Sequence, residues 1–204
     1  EMFQCNLPDS EYEIILVNDA SPDRVADVLP KLAEWNNRIR FFTFAKNFGQ
    51  HNATLFGIRQ AKFSKTVTMD DDGQHDPAAI PRLLTMLENG ETRLVYGYPE
   101  EENRGWFRSF ASKTMKRLLT YCLGVSRATE ISSFRCFETY LRDMFADYTG
   151  NDVFIDALLS WGSSSSSIMI PLRKRMEGKS GYTLKKLLKH TLNLITSFTI
   201  IPLR

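Results

Sequence analysis

Cysteine is scarce in this sequence. Cys5, Cys122 and Cys136 are the only three, widely spaced and with no CxxC pair. That excludes a disulfide framework and a zinc knuckle, and free thiols fit a reducing compartment. Long apolar runs are missing too. None reaches the roughly 18 residues of a membrane-spanning helix, and the opening EMFQCNLPDSEYE lacks the basic-then-apolar order of a secretory signal. Neither sign of charge dominates: 26 Lys and Arg stand against 24 Asp and Glu, a net charge of +2. A general nucleic-acid binder is more basic, so nucleic acid is not an expected partner. No repeat of fixed period is visible. What remains is ordinary globular composition, 43% hydrophobic and 25% charged over 204 residues, enough for one domain with a small appendage.

Apolar runs alternate with helical patterns. Glu11 to Asp19, centred on Ile14-Ile15-Leu16-Val17, reads as a strand buried on both faces. Ser21-Pro22-Asp23 reads as a helix start with Ser21 as N-cap, followed by the face Val25, Val28, Leu29 and Leu32. Ile39 to Phe44 and Lys65 to Met69 are further strands, with a helix over Gly49 to Ala61 between them. Asp76-Pro77 opens a helix that Asn89-Gly90 closes, and Arg93 to Tyr98 is a fourth strand. Repeated β-α units of this length imply a mostly parallel α/β sheet in three layers.

After Tyr98 the rhythm changes. Pro99 to Asn103 is a polar loop, and Gly105 to Leu123 a basic helical stretch. Ser132 to Phe137 and Ile168 to Leu172 read as strands, Asp152 to Trp161 as a helix, and Ser163 to Ser167, five serines in a row, as a flexible loop. Thr183 to Phe198 is a cationic amphipathic helix.

Three segments could carry chemistry, each at the carboxyl end of a strand, where open parallel sheets bind ligands. Asp70-Asp71-Asp72 with Gln74 follows the third strand. Asp70 and Asp72, two apart, project to one side and could share a hard cation, which would relieve the repulsion of three adjacent carboxylates. The alternative is a solvated turn ahead of the Asp76 cap. Val17-Asn18-Asp19-Ala20-Ser21-Pro22-Asp23 offers Asp19 as an acceptor for a base N–H or ribose hydroxyl, or a plain capping turn. Lys46-Asn47-Phe48-Gly49-Gln50 sets a cation, an amide and a glycine beside a helix N-terminus, which suits an anionic or nucleotide ligand. The P-loop and GxGxxG patterns are both absent. His75, a lone histidine, reads as a surface or capping residue.

Taken in order, VNDASPD, AKNFG and MDDDGQHDP resemble the motifs of family-2 glycosyltransferases of the GT-A fold. The DxDxQxxP form is similar to polyprenyl-phosphate sugar transferases of the dolichyl- and undecaprenyl-phosphate type. Arg104, Arg108 and Ser112, Ser133-Phe134-Arg135, and the segment Arg175 to Tyr182 with Gly178 and Ser180 extend the resemblance over Glu11 to Arg204. Three departures stand out. No counterpart of the family's first strand precedes Glu11, Asn18 stands for an expected Asp, and Ser133 stands where many members have an Asp.

The resemblance implies a Rossmann-like, three-layer GT-A domain lacking its first strand. Residues 1–172 would be catalytic, with a sugar-nucleotide half at 11–98 and an acceptor half at 99–172. Residues 173–204 would form a basic segment leading toward the membrane, with anchor helices beyond residue 204 and a cytoplasmic, membrane-peripheral location. The activity implied is inverting transfer from a nucleotide-diphosphate sugar to a polyprenyl phosphate, with Mg²⁺ or Mn²⁺ on Asp70 and Asp72. Asp19, Lys46, Asn47, Asp70 and Gln74 would bind the nucleotide sugar. Arg104, Arg108, Ser112 and Arg175 would hold the acceptor phosphate, and Asp72, Asp156 and Arg135 would be catalytic. A saccharide hydroxyl acceptor would need an Asp base, for which Asp156 and Asp152 are the candidates. A non-catalytic sugar-nucleotide or membrane-surface module is a third reading, and a homo-oligomer is left open.

Overall fold

The computed structural model describes residues 11–99, 130–150, 153–171 and 173. Arg104, Arg108, Ser112, Asp152 and Arg175 lie outside them, as do the expected basic helices at 105–123 and 183–198.

Strand β1 (Ile14–Asn18) leads through helix α1 (Val25–Trp35) to β2 (Ile39–Thr43). Helix α2 (Gln50–Gln60) leads to β3 (Lys65–Thr68). A 3₁₀ turn, Pro77–Ala79, runs into helix α3 (Ile80–Asn89), followed by β4 (Leu94–Pro99). After the gap come β5 (Arg135–Glu138), a 3₁₀ segment (Thr139–Phe145), helix α4 (Ile155–Ser160) and β6 (Ser165–Ile170).

Two sheets are present among the described residues. β1 and β2 pair in parallel, and the other four strands stand in the order β3-β5-β4-β6. β5 runs antiparallel to both its neighbours, whereas β6 is parallel to β4. Within the larger sheet three of the four strands share one direction, and β5 is the reversed one. The sheet is mixed.

Two local expectations change. Ser21 is not the cap of α1, which begins at Val25 behind Arg24; Ser21 donates its N–H to Asn18 Oδ1 at 2.9 Å instead. The α1 interior also holds Pro30. The serine run is a loop only at Ser163 and Ser164: Ser165–Ser167 pair with Leu94–Tyr96 in β6. Backbone pairing beside an established strand outweighs composition there, and the Ser166 and Thr92 hydroxyls meet at 2.7 Å.

The core lies on the larger sheet. Leu94, Val95, Tyr96, Cys136 and Phe137 are all at most 2% exposed. One face meets Leu55, Ile58, Ile155, Leu158 and Leu159, and the other meets Leu83, Leu87 and Ile170. Arg142 Nη1 donates to the carbonyls of Ile58 and Ala61 at 3.2 and 2.5 Å, a cation on the last carbonyls of α2. Gly97 permits close approach: a side chain there would meet Ile170 Cδ1 at 2.6 Å.

Candidate active site

Parallel pairing of β1 and β2 brings the segments after them to one edge. Asn18 is buried, and Ala20 takes a φ of 52°, a left-handed conformation uncommon for alanine. The turn directs Asp19 at the next loop. Its two carboxylate oxygens accept from Phe48 N–H and Gly49 N–H, both at 2.7 Å. Asn47 Nδ2 donates to the Asp19 carbonyl at 3.0 Å. Gly49, with φ of 93°, supplies the bend into α2 that a side chain would strain. Lys46 Nζ lies 5.0 Å from the centroid of the Phe48 ring. Asp19, Lys46 and Asn47 thus share one loop pair, and Asp19 holds it together.

Helix α2 carries the connection onward. Gln50 Nε2 donates to Asp70 Oδ1 at 2.6 Å, and Ser133 Oγ donates to Asp70 Oδ2 at 2.6 Å. An Asp at position 133 would put two carboxylates in contact; serine replaces that repulsion with a hydrogen bond. Asp72 Oδ1 accepts from Gln74 N–H at 3.0 Å. Asp76 caps its turn through Ala78 N–H and pairs with Arg173 Nη2 at 2.8 Å.

His75 departs from the expected surface position. It is 9% exposed and stacks on Phe134 at 5.0 Å, and its Nδ1 accepts from Asp70 N–H at 3.1 Å. Phe134 is far away in sequence, so nothing local signalled this. Burial lowers the His75 pKa from its ordinary 6.5, against the pull of Asp70 and Asp72.

Two cavities flank the acid triplet. One, of about 240 Å³, lies between Asp70, Asp71, His75 and Arg173. The other, of about 320 Å³, runs from Gln50 and Thr54 past Asp70, Ser132 and Ser133 to Arg135 and Asp156. Of the expected site residues, Asp70 borders both and Arg135 and Asp156 border the second. Asp19, Lys46, Asn47, Asp72 and Gln74 border neither.

Beneath the larger cavity is a buried polar group. The Tyr96 hydroxyl donates to Asp156 Oδ1 at 2.9 Å, and Arg135 Nε lies 3.4 Å from the same oxygen. Burial raises the Asp156 pKa, opposed by the Arg135 charge and the Tyr96 hydrogen bond. Burial likewise raises that of Tyr96. By its spacing Tyr96 is one residue of a strand; its role depends on two distant segments.

Among the described residues, no three His, Cys, Asp or Glu side chains gather as a metal cage. Mg²⁺ and Mn²⁺ do not require one, since one or two carboxylates plus substrate phosphates are a usual set. The oxygen donors Asp70 and Asp72 fit such an ion in kind.

The model of glycosyl transferase family 2 matches residues 4–155. The chain belongs to that family. This glycosyltransferase domain is 30% identical over 202 residues to the undecaprenyl-phosphate 4-deoxy-4-formamido-L-arabinose transferase of Proteus mirabilis, covering 98% of the chain and 62% of that protein. The namesake from Edwardsiella ictaluri is also 30% identical, over 98% of the chain and 62% of its own length. The chain therefore spans less than two thirds of these relatives. In fold, it superposes on glucosyl-3-phosphoglycerate synthase from Mycobacterium tuberculosis, solved with Mn²⁺, UDP-glucose and glycerol 3-phosphate, at a TM-score of 0.58. That match has 16% identity and covers 90% of this chain and 66% of that one. The mannosyltransferase PcManGT from Pyrobaculum calidifontis, solved with GDP-mannose and Mn²⁺, gives 0.57 at 15% identity over 90% and 55%. The fold is GT-A.

Proposed function

We propose that the domain transfers a sugar, with inversion, from a nucleotide-diphosphate sugar to a polyprenyl phosphate at a membrane surface. The observation that carries this is the hydrogen-bonded line from Asp19 through the Phe48-Gly49 loop and Gln50 to Asp70. It ties the loops that would receive a nucleotide to the acid triplet that would meet its diphosphate. Asp70 and Asp72 would hold Mg²⁺ or Mn²⁺, which when bound neutralises charge on the diphosphate leaving group. Lys46, Asn47 and Gln74, which belong to the same motifs, would contact the donor.

The names of the relatives supply the acceptor class, and Ser133 agrees with it. A serine hydroxyl is no general base, and a phosphate monoester, with a second pKa of about 6, needs none. Asp156, the candidate base for a saccharide acceptor, is 2% exposed and engaged with Arg135 and Tyr96. Arg104, Arg108, Ser112 and Arg175 would hold the acceptor phosphate, the arginines as bidentate forks. The basic segment 173–204 would rest on an anionic bilayer, each Lys or Arg near the surface contributing about 1 kcal/mol. The described residues contain no helix long and apolar enough to cross a membrane.

A radiolabelled transfer assay tests the reading, with farnesyl phosphate set against an oligosaccharide, with and without Mn²⁺. Lipid-linked product that requires metal is expected; product on the saccharide alone would replace the proposed acceptor. Arg175→Ala should cut transfer by about 10²–10³ while sparing donor affinity. A near-normal rate in that variant would remove Arg175 from the acceptor site.

A further inference from the structure

The Tyr96, Arg135 and Asp156 cluster contains more than an ion pair. Tyr96 and Arg135 are register partners on β4 and β5, and Asp156 reaches them from α4. All three are at most 3% exposed. Arg135 Nε is used twice, toward Asp156 and toward the Ser132 carbonyl at 3.1 Å. Arg135 Nη1 has no partner among the described residues. A buried guanidinium N–H without an acceptor is costly, and native proteins rarely leave one. Arg135 and Asp156 also line the cavity of about 320 Å³ that Asp70 borders.

The charges select the ligand. Arg135 and Asp156 cancel, so Asp70 leaves this cavity with negative character. A divalent ion on the acid triplet would be matched by the donor's own diphosphate. A second anion is therefore poorly suited to the cavity, and a neutral oxygen is well suited. The remaining polar lining is the Gln50 amide, the His51 imidazole and the hydroxyls of Thr54, Thr68, Ser132 and Ser133, with no further carboxylate, lysine or arginine. The Ser132 hydroxyl accepts from Phe134 N–H at 3.1 Å, which leaves its own proton to donate beside Arg135. Hydroxyls, an amide and a guanidinium around a cavity of this size match a polyhydroxylated ring.

Resting on the donor chemistry proposed above, we infer that Arg135 reads the transferred sugar, its Nη1 donating to a sugar oxygen. Tyr96 and Asp156 are positioning residues that hold the guanidinium for this contact. Asp156 acts through Arg135, not as a base.

The test compares each nucleotide sugar with its bare nucleotide, by calorimetry on the full chain with Mn²⁺. UDP-glucose and UDP-xylose are paired with UDP, and GDP-mannose with GDP. At least one nucleotide sugar should bind more tightly than its nucleotide. Arg135→Lys and Arg135→Gln should weaken that sugar-dependent gain by roughly 10-fold to 100-fold, the scale of one hydrogen bond from a charged donor, with nucleotide affinity unchanged. Tyr96→Phe removes a single hydroxyl and should lower the same gain by a smaller factor. It keeps the test open if removing the guanidinium prevents folding, as thermal unfolding will show. A mere structural role would lower nucleotide and nucleotide-sugar affinity together. An unchanged gain in Arg135→Lys and Tyr96→Phe overturns the inference, and so does a loss shared by the bare nucleotide. If the unaltered chain binds no nucleotide sugar more tightly than its nucleotide, the donor reading itself falls and this inference with it.

Discussion

The two sheets are built from similar apolar runs and end at different depths. In β1 (IILVN), Asn18 is the one buried residue and the rest are half-buried, while β2 has Phe41 and Thr43 exposed. In β4 (LVYGYP), the first four residues are buried. Leu29 is the one buried residue of α1. Polar links also tie the smaller sheet to its surroundings: Glu13 takes Arg40 Nη1 at 2.6 Å and Lys62 N–H at 2.7 Å. Helix α2 belongs to both regions. Gly57 faces Val17 and Ile15, while Leu55 and Ile58 enter the core. The Phe42, Phe44 and Phe56 rings lock β2 to the same helix at 5.0 and 5.3 Å. The comparison teaches a division of labour. The deep sheet supplies most of the stability, and the site's loops follow β1 and β2 of the shallow sheet and β3, the half-buried edge strand of the deep one.

The sharpest way to break this division is at the acid triplet. Asp72→Asn should reduce metal-dependent transfer by about 10²–10³ and shift stability by less than about 1 kcal/mol. Transfer assays across Mn²⁺ concentrations, beside urea unfolding, check both halves; unchanged metal dependence would sever the triplet from function.

Next in size is a matched pair of truncations. Leu158→Ala, in the deep core, should cost about 2–5 kcal/mol. Ile15→Ala on the half-buried β1 should cost less. Urea unfolding of the two variants ranks them, and a reversed order would refute the assignment of depth to stability.

A smaller effect is expected at His75, which packs beside the acid triplet. Its folded pKa lies below the ordinary 6.5 because burial disfavours the charged form. A depressed histidine contributes stability that is present above 6.5 and lost as pH falls toward the folded value. Protonation would also take the Nδ1 lone pair from Asp70 N–H. Thermal unfolding from neutral pH to about pH 5 should fall more steeply for the unaltered chain than for His75→Gln. Parallel curves would show that His75 does not titrate on unfolding.

The least effect should come from thiol reagents. Burial pushes the Cys136 thiol up to about 12, so it carries almost no thiolate near neutrality. Cys136 should resist modification in the folded chain and react at the rate of opening, which peptide mapping after timed labelling would measure. Fast labelling would mean that the larger sheet opens readily.

Much of the site was legible because its chemistry is contiguous. VNDASPD, AKNFG and DDDGQ each fall within a few residues at a strand end, and strand-end placement follows from the apolar runs before them. Links between segments were not legible. Nothing in KNFGQ says that Gln50 meets Asp70, or that Asp19 spends both carboxylate oxygens on main-chain N–H groups. The serine run misled because composition describes a free chain, whereas β4 offered those residues a ladder.

The sequence alone determined the alternation of strands and helices, the acid triplet after β3 and the near-balance of charge. These depend on residue type and short spacing, which the chain carries whether folded or not. Tertiary structure decided the reversal of β5, the burial of His75 on Phe134, and the meeting of Tyr96, Arg135 and Asp156 from three separate elements. Those outcomes depend on which strand pairs with which, a choice made when distant segments desolvate one another. Side-chain burial and the pKa values it shifts follow from that choice.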